Sequence, residues 1–257
     1  MKKLITLAVV FLVAAITLTA QSTEMTKEAS ELYNAGNKLL KSGDYNGAIQ
    51  KYDDALKSAE DYRILYQKSI ALKKLRKYND AKETLIKCIE LNPNFAGAYN
   101  GLGTTYYALK DYQKAIDNFK LFQEKSDKPK LKKRANLYLA IAYTKLADQF
   151  KKKGNKDKAI ELLTEAVKYK PYDASYLMMA ELYTDKGEFQ KALEAANNAL
   201  KYRGKRSKLS KGAVYYYKGL ALKGLGKKEE AKKSFNLALT DRTYKQNAKY
   251  ELKMLNR

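Results

Sequence analysis

The feature that most constrains this chain is a pattern that recurs along it. An alanine followed four residues later by an aromatic residue or leucine is found at Ala48/Tyr52, Ala81/Leu85, Ala115/Phe119, Ala159/Leu163 and Ala231/Phe235. Ala192 belongs to the same series, with Ala196 in the partner position. Successive alanines lie 33, 34, 44, 33 and 39 residues apart, a period of 33–34 broken by two insertions. Units of this length cannot bury an apolar face alone, so they fold by stacking on their neighbours.

A second pattern precedes each alanine. Its best copy is Tyr99-x-x-Leu102-Gly103-x-x-Tyr106, followed by Tyr112 and Ala115-x-x-x-Phe119. Other copies begin at Leu32, with Ala35 and Gly36; at Tyr176, with Met179 and Ala180; and at Tyr215, with Lys218 and Gly219. Apolar residues three and four apart make one stripe on a helix. A turn carrying Gly43, Gly154, Gly187 or Gly226 then breaks it. The second helix carries small residues where two helices approach closely: the six alanines, then Ala55, Cys88, Ala166, Ala199 and Ala238 seven residues on.

These residues resemble the tetratricopeptide repeat family, whose signature is Trp-x2-Leu-Gly-x2-Tyr, then Ala-x3-Phe, then Pro. The resemblance covers 29–244 in six copies, at 29–61, 62–95, 96–129, 140–172, 173–205 and 212–244. No copy has Trp, copy two has Lys68 and Ser69 at the Leu-Gly pair, and copy six has Lys218 there. The family implies an all-α, right-handed α-solenoid of helix-turn-helix repeats. Residues 245–257 supply a C-terminal capping helix with Ala248, Leu252 and Leu255 on its apolar face. The first insertion keeps helical spacing through Leu131, Ala135, Tyr138, Ala142 and Leu146, which predicts one long helix over about Lys130–Lys153. The second, Lys201 to Lys211, is a basic loop.

The resemblance also implies a concave groove lined by the first helix of each repeat. The matching positions include Tyr33, Asn37, Arg63, Tyr66, Lys73, Asn100, Thr104, Tyr107 and Tyr216. Tyrosine with amide, hydroxyl and ammonium groups suits an extended peptide, offering aromatic area and hydrogen-bonding tips. The alternative for the tyrosines is packing between repeats. Some family members hold a C-terminal carboxylate in a Lys/Asn/Asn/Lys/Arg clamp. The matching positions here are Tyr33, Asn37, Gln67, Gly97 and Gly101, and Asn37 alone agrees, which argues against such a clamp.

Composition narrows the chemistry. The 257 residues include no His and one Cys, so Ser-His-Asp and Cys-His catalysis, histidine metal ligation, an internal disulfide and a cysteine-cluster zinc site are excluded. Gly224-Leu225-Gly226-Lys227 does not complete a phosphate loop and follows a helix, not a strand. Acidic pairs such as Asp53/Asp54 and Glu229/Glu230 sit on solvated faces. No catalytic residue, metal site or cofactor is expected.

Lys2 and Lys3 followed by uncharged, apolar Leu4–Ala20 read as a signal peptide over 1–20, with 21–28 as a linker. The alternative is an uncleaved N-terminal membrane anchor. Either way an exported protein, periplasmic or secreted, is expected. Charge is lopsided: residues 130–257 hold 31 basic and 13 acidic side chains, whereas 21–129 hold 18 and 15. The candidate basic patch is Lys151, Lys152, Lys201, Arg203, Lys205, Arg206, Lys208 and Lys211. Such a field draws an acidic polymer, an anionic membrane surface or an acidic protein. Nucleic acid is disfavoured, because Lys outnumbers Arg 44 to 7 and base readout favours bidentate Arg. The expectation is a non-enzymatic scaffold of the cell envelope that binds a peptide or protein segment in its groove. The alternative is a protein that binds polyanions or membrane surfaces through its basic half.

Overall fold

The computed structural model describes residues 25–205 and 207–256. The expected signal peptide 1–20, linker residues 21–24, Arg206 and Arg257 lie outside the described residues. The described residues form thirteen helices and no strand. Twelve of them pair as α1 (Lys27–Ser42) with α2 (Tyr45–Ser58), α3 (Tyr62–Lys74) with α4 (Tyr78–Leu91), and α5 (Ala96–Ala108) with α6 (Tyr112–Lys125). The later pairs are α7 (Pro129–Lys152) with α8 (Lys156–Tyr169), α9 (Asp173–Asp185) with α10 (Phe189–Lys201), and α11 (Lys211–Gly224) with α12 (Lys228–Ala238). Helix α13 (Lys245–Leu255) covers α12. Each helix packs on the next, and α1 on α3, α3 on α5, α7 on α9 and α9 on α11 form an inner layer. The result is a right-handed α-solenoid. No described helix is long and apolar enough to cross a membrane.

One close contact recurs inside three of the pairs, between a glycine of the first helix and a residue sixteen positions later on the second. Glycine faces an aromatic ring at Gly36/Tyr52, Gly103/Phe119 and Gly219/Phe235, where a Cβ on the glycine would lie 2.6 Å from the ring. The equivalent positions in the other pairs hold Ser69 and Leu85, Ala147 and Leu163, and Ala180 and Ala196, all of them buried.

Turns between paired helices are built alike. In all six, the amide after the turn residue donates to the carbonyl five residues back, as in Asp44 to Leu39 (3.0 Å) and Lys77 to Leu72 (2.9 Å). This closure needs a left-handed residue at the turn. Four turns use glycine, at Gly43, Gly154, Gly187 and Gly226, but Arg76 (φ 60°) and Lys110 (φ 63°) fill the other two. A side chain there costs about 1–2 kcal/mol, offset in part by glycine's greater loss of backbone entropy. Arg76→Gly and Lys110→Gly are each expected to stabilise the fold by about 0.5–1 kcal/mol, read as a higher urea midpoint with unchanged slope. Lower midpoints for both would contradict the strain.

Cap residues fix the helix starts. Asp44, Asp111 and Asn155 accept the backbone N–H of Gly47, Lys114 and Lys158 at 2.9, 3.2 and 3.0 Å. The first insertion is absorbed into α7, a helix of 24 residues. Its N-terminal turns pack Leu131 and Ala135 against Tyr99 and Phe122. Tyr138 sits 5.1 Å from the ring of Phe119. Cys88 is buried, its Sγ donating to the carbonyl of Tyr62 at 3.3 Å. Burial, assisted by the charge of Asp61, pushes its thiol up to about 12. A thiol reagent is therefore expected to label Cys88 only after unfolding; rapid labelling of the native protein would refute that.

Candidate functional site

The first helices α1, α3 and α5 carry most of the expected groove residues, and the structure sorts them by what they touch. Tyr33 and Arg63 line one open depression of about 510 Å³ with Met25, Ser30 and Asn34. Arg63 is held by Asp61, the N-cap of α3: its Nε lies 3.0 Å from Oδ1, which also accepts the Arg63 backbone N–H at 2.7 Å. Asn37 accepts the hydroxyl of buried Tyr52 at 2.9 Å, while burial raises that phenol to about 12. Asn37 therefore satisfies a polar group of the core.

The groove tyrosines are half-buried in aromatic contacts. Tyr33 lies 6.2 Å from the ring of Tyr52, and Tyr66 meets Phe95 edge-on at 5.0 Å. Tyr107 lies 5.4 Å from Tyr112. Tyr216 is 4.9 Å from Tyr244 and 5.4 Å from Tyr217. Burial raises the pKa of Tyr66, Tyr107 and Tyr216 above the ordinary phenol value. Each ring is thus both a packing element and part of the inner surface.

Lys73 and Thr104 meet between α3 and α5. A cavity of about 360 Å³ is lined there by Ile70, Lys73, Lys74, Tyr78, Thr104 and Ala108. The Lys73 ammonium donates to Thr104 Oγ1, whose own proton goes to the carbonyl of Gly101 at 2.9 Å. One turn earlier on α5, Asn100 Oδ1 is buried without a hydrogen-bond partner. Burial first, and the charge of Arg134 second, pull Lys73 down to about 8. Arg134 comes from α7, with its guanidinium 5.4 Å from the Tyr138 ring centre and its Nε donating to the Tyr138 hydroxyl at 2.9 Å. Arg134 belongs to the part of α7 that precedes the repeat register.

The candidate basic patch divides. Lys151 pairs with Glu181 at 2.6 Å and Lys152 with Asp148 at 2.7 Å. Lys201 lies over the Tyr202 ring at 5.2 Å. Arg203 ties the loop together, its Nε donating to the carbonyl of Leu209 at 3.0 Å. Lys205, Lys208 and Lys211 are exposed and make no ion pair among the described residues. Arg206 lies outside the described residues.

Comparison with known proteins agrees with this architecture. Sequence profiles described as tetratricopeptide repeat match residues 62–95 and 84–117, and one described as a domain of unknown function, DUF3856, matches 130–242. The chain is 30% identical over 94 residues to the Hsp70-Hsp90 organizing protein of Triticum aestivum, a match covering 36% of this chain and 16% of that protein. The chain thus spans about a sixth of that relative's length. MamA 41-end from Desulfovibrio magneticus RS-1 superposes with a TM-score of 0.51 at 22% identity, over 72% of this chain and 99% of that one. YrrB, described as a TPR protein with an unusual peptide-binding site, gives 0.51 at 17% identity, over 77% and 97%. At those identities both show the fold alone. Six stacked helix pairs, and tetratricopeptide repeat profiles that match within residues 62–117, make this chain a member of the tetratricopeptide repeat family.

Proposed function

We propose that this chain is a non-enzymatic protein-interaction scaffold of the cell envelope that takes an extended peptide or protein segment along its concave groove. The observation that carries this is the set of polar groups that open onto the inner layer from α1, α3 and α5: Tyr33 and Arg63 in one depression, Lys73 and Thr104 in the next. Half-buried tyrosines beside it offer apolar area that is already fixed in place, which lowers the entropy lost on binding. Relatives named as organizing proteins for Hsp70 and Hsp90 favour the same class of task. The absence of His and the buried, high-pKa Cys88 favour binding over catalysis. Export is part of the proposal and rests on the apolar segment 4–20 behind Lys2 and Lys3.

Crosslinked affinity capture from the exported fraction tests this reading, at low and high salt, with a Tyr33→Ala/Asn100→Ala/Tyr107→Ala bait as control. One protein held at high salt and lost with the control, whose helical circular dichroism is unchanged, is the expected result. Material equally retained by both baits would remove the groove from the account. A second reading follows from Lys205, Lys208 and Lys211, exposed and unpaired in the basic half: attachment to an acidic polymer, an anionic membrane surface or an acidic protein. That reading expects captured material to be shed by salt and lost on charge reversal at those three lysines.

A further inference from the structure

Three lysines occupy the same position, the twelfth, in the second, fourth and sixth repeats: Lys73, Lys151 and Lys223. Each reaches across to the next inner helix. Lys151 meets Glu181 of α9 at 2.6 Å, and Lys223 meets Glu251 of α13 at 2.6 Å. At the corresponding place Lys73 finds Thr104, a neutral hydroxyl. No carboxylate lies within ion-pairing distance of Lys73 or Arg134 among the described residues, and the other charge acting on Lys73 is the cation Arg134. The chain supplies a counter-charge at two of three equivalent sites and withholds it at the third. A half-buried ammonium with no counter-charge is costly unless an anion arrives from outside.

We propose that the pocket around Lys73 receives the carboxylate of an Asp or Glu side chain within the peptide segment lying in the groove, an inference that rests on the groove reading above. Lys73 holds the carboxylate by a charge-assisted hydrogen bond, and the positive charge of Arg134 adds to the attraction. Tyr33 and Arg63 line a separate depression on α1 and α3, and the proposed segment runs from there through the Lys73 site, so that the acid it places there is internal. The 360 Å³ cavity accommodates a side chain of that size.

A random peptide library displayed without free C termini is selected on the immobilised protein. Representative binders are then made with amidated C termini, each as an acidic form and a form with its acid changed to the amide. The expected result is that selected peptides share one acidic position, and that the acid-to-amide change weakens binding about tenfold or more. Two variants should abolish that difference without disturbing the helical circular dichroism. Lys73→Gln removes the cation, and Thr104→Glu supplies the carboxylate from within, as Glu181 does for Lys151. If the acid-to-amide change costs as much in both variants as in the parent, or selected peptides carry no acidic preference, the inference is overturned while peptide binding by the groove stands. If no peptide is selected at all, the groove reading fails and takes this one with it.

Discussion

Phe119→Ala is expected to cost about 3–5 kcal/mol of stability, the range for emptying a buried aromatic site. Phe119 is buried within the largest core cluster, beside Ala115, Leu139 and Ala142, with the tilted ring of Tyr138 5.1 Å away. It joins the third repeat to the long helix α7, so the loss should weaken the boundary between two halves of the solenoid as well as one repeat. Gly103→Ala, at the other side of the same contact, should cost about 1–3 kcal/mol, because its Cβ would lie 2.6 Å from the Phe119 ring. The two changes should not add. In the Phe119→Ala background the ring is gone, the added methyl enters the vacated space, and Gly103→Ala should become close to neutral. Urea unfolding followed by helical circular dichroism for the two single variants and the double variant measures the coupling. Additive losses would show that Gly103 is glycine for a reason other than the facing ring.

Much of this contact was legible in the sequence, and the reason is physical. Small residues at fixed spacing on two helices that must touch leave a periodic record, so Ala48, Ala115 and their counterparts announce the fold. Which residue each glycine meets was not legible, because a close approach across a pair shows only when both partners are seen facing each other. The turns at Arg76 and Lys110 were missed for a related reason. Glycine signals a left-handed residue, whereas an arginine held there by the helices on either side carries no such mark.

The groove was harder to read than the fold. Sequence spacing placed Tyr33, Asn37, Lys73, Asn100 and Thr104 on the inner helices, but it carried no information about partners. Asn37 is committed to the hydroxyl of Tyr52 and Arg63 to Asp61, whereas Asn100 keeps an unpartnered oxygen. Lys151 looks like surface charge in sequence and is paired with Glu181 in the structure. Arg134 enters the site from an insertion that falls outside the repeat register. Partner identity across successive repeats is set by side chains about thirty residues apart, and no local pattern encodes it.

Lys73→Met is expected to make the protein more stable while depriving it of the acid-binding pocket. Lys73 titrates near 8 in the folded protein, below the ordinary lysine value of 10.5, because burial disfavours its charge and Arg134 repels it. The unfolded chain therefore holds the proton more tightly, and the folded state bears a cost whenever that proton is on. Below pH 8 the lysine is charged in both states and the full cost is present. As pH rises from 8 toward 10.5 the folded protein sheds the proton first, and the cost fades. Methionine keeps the apolar stem and has no charge to strand. The gain at pH 7 should be about 1–3 kcal/mol, discounted from the full shift because solvent reaches a half-buried amine. The check is the difference in urea-derived stability between the parent and Lys73→Met at pH 7 and pH 10, since tyrosines titrating in that range affect both proteins alike. The variant should lead clearly at pH 7, and its lead should shrink at pH 10. A variant less stable at pH 7 would mean that Lys73 is a structural partner of Thr104 whose charge is satisfied at home. A lead that disappears when an acidic groove peptide saturates the parent alone would tie the stored cost directly to binding, since a ligand that binds only the folded state stabilises it in proportion to its occupancy.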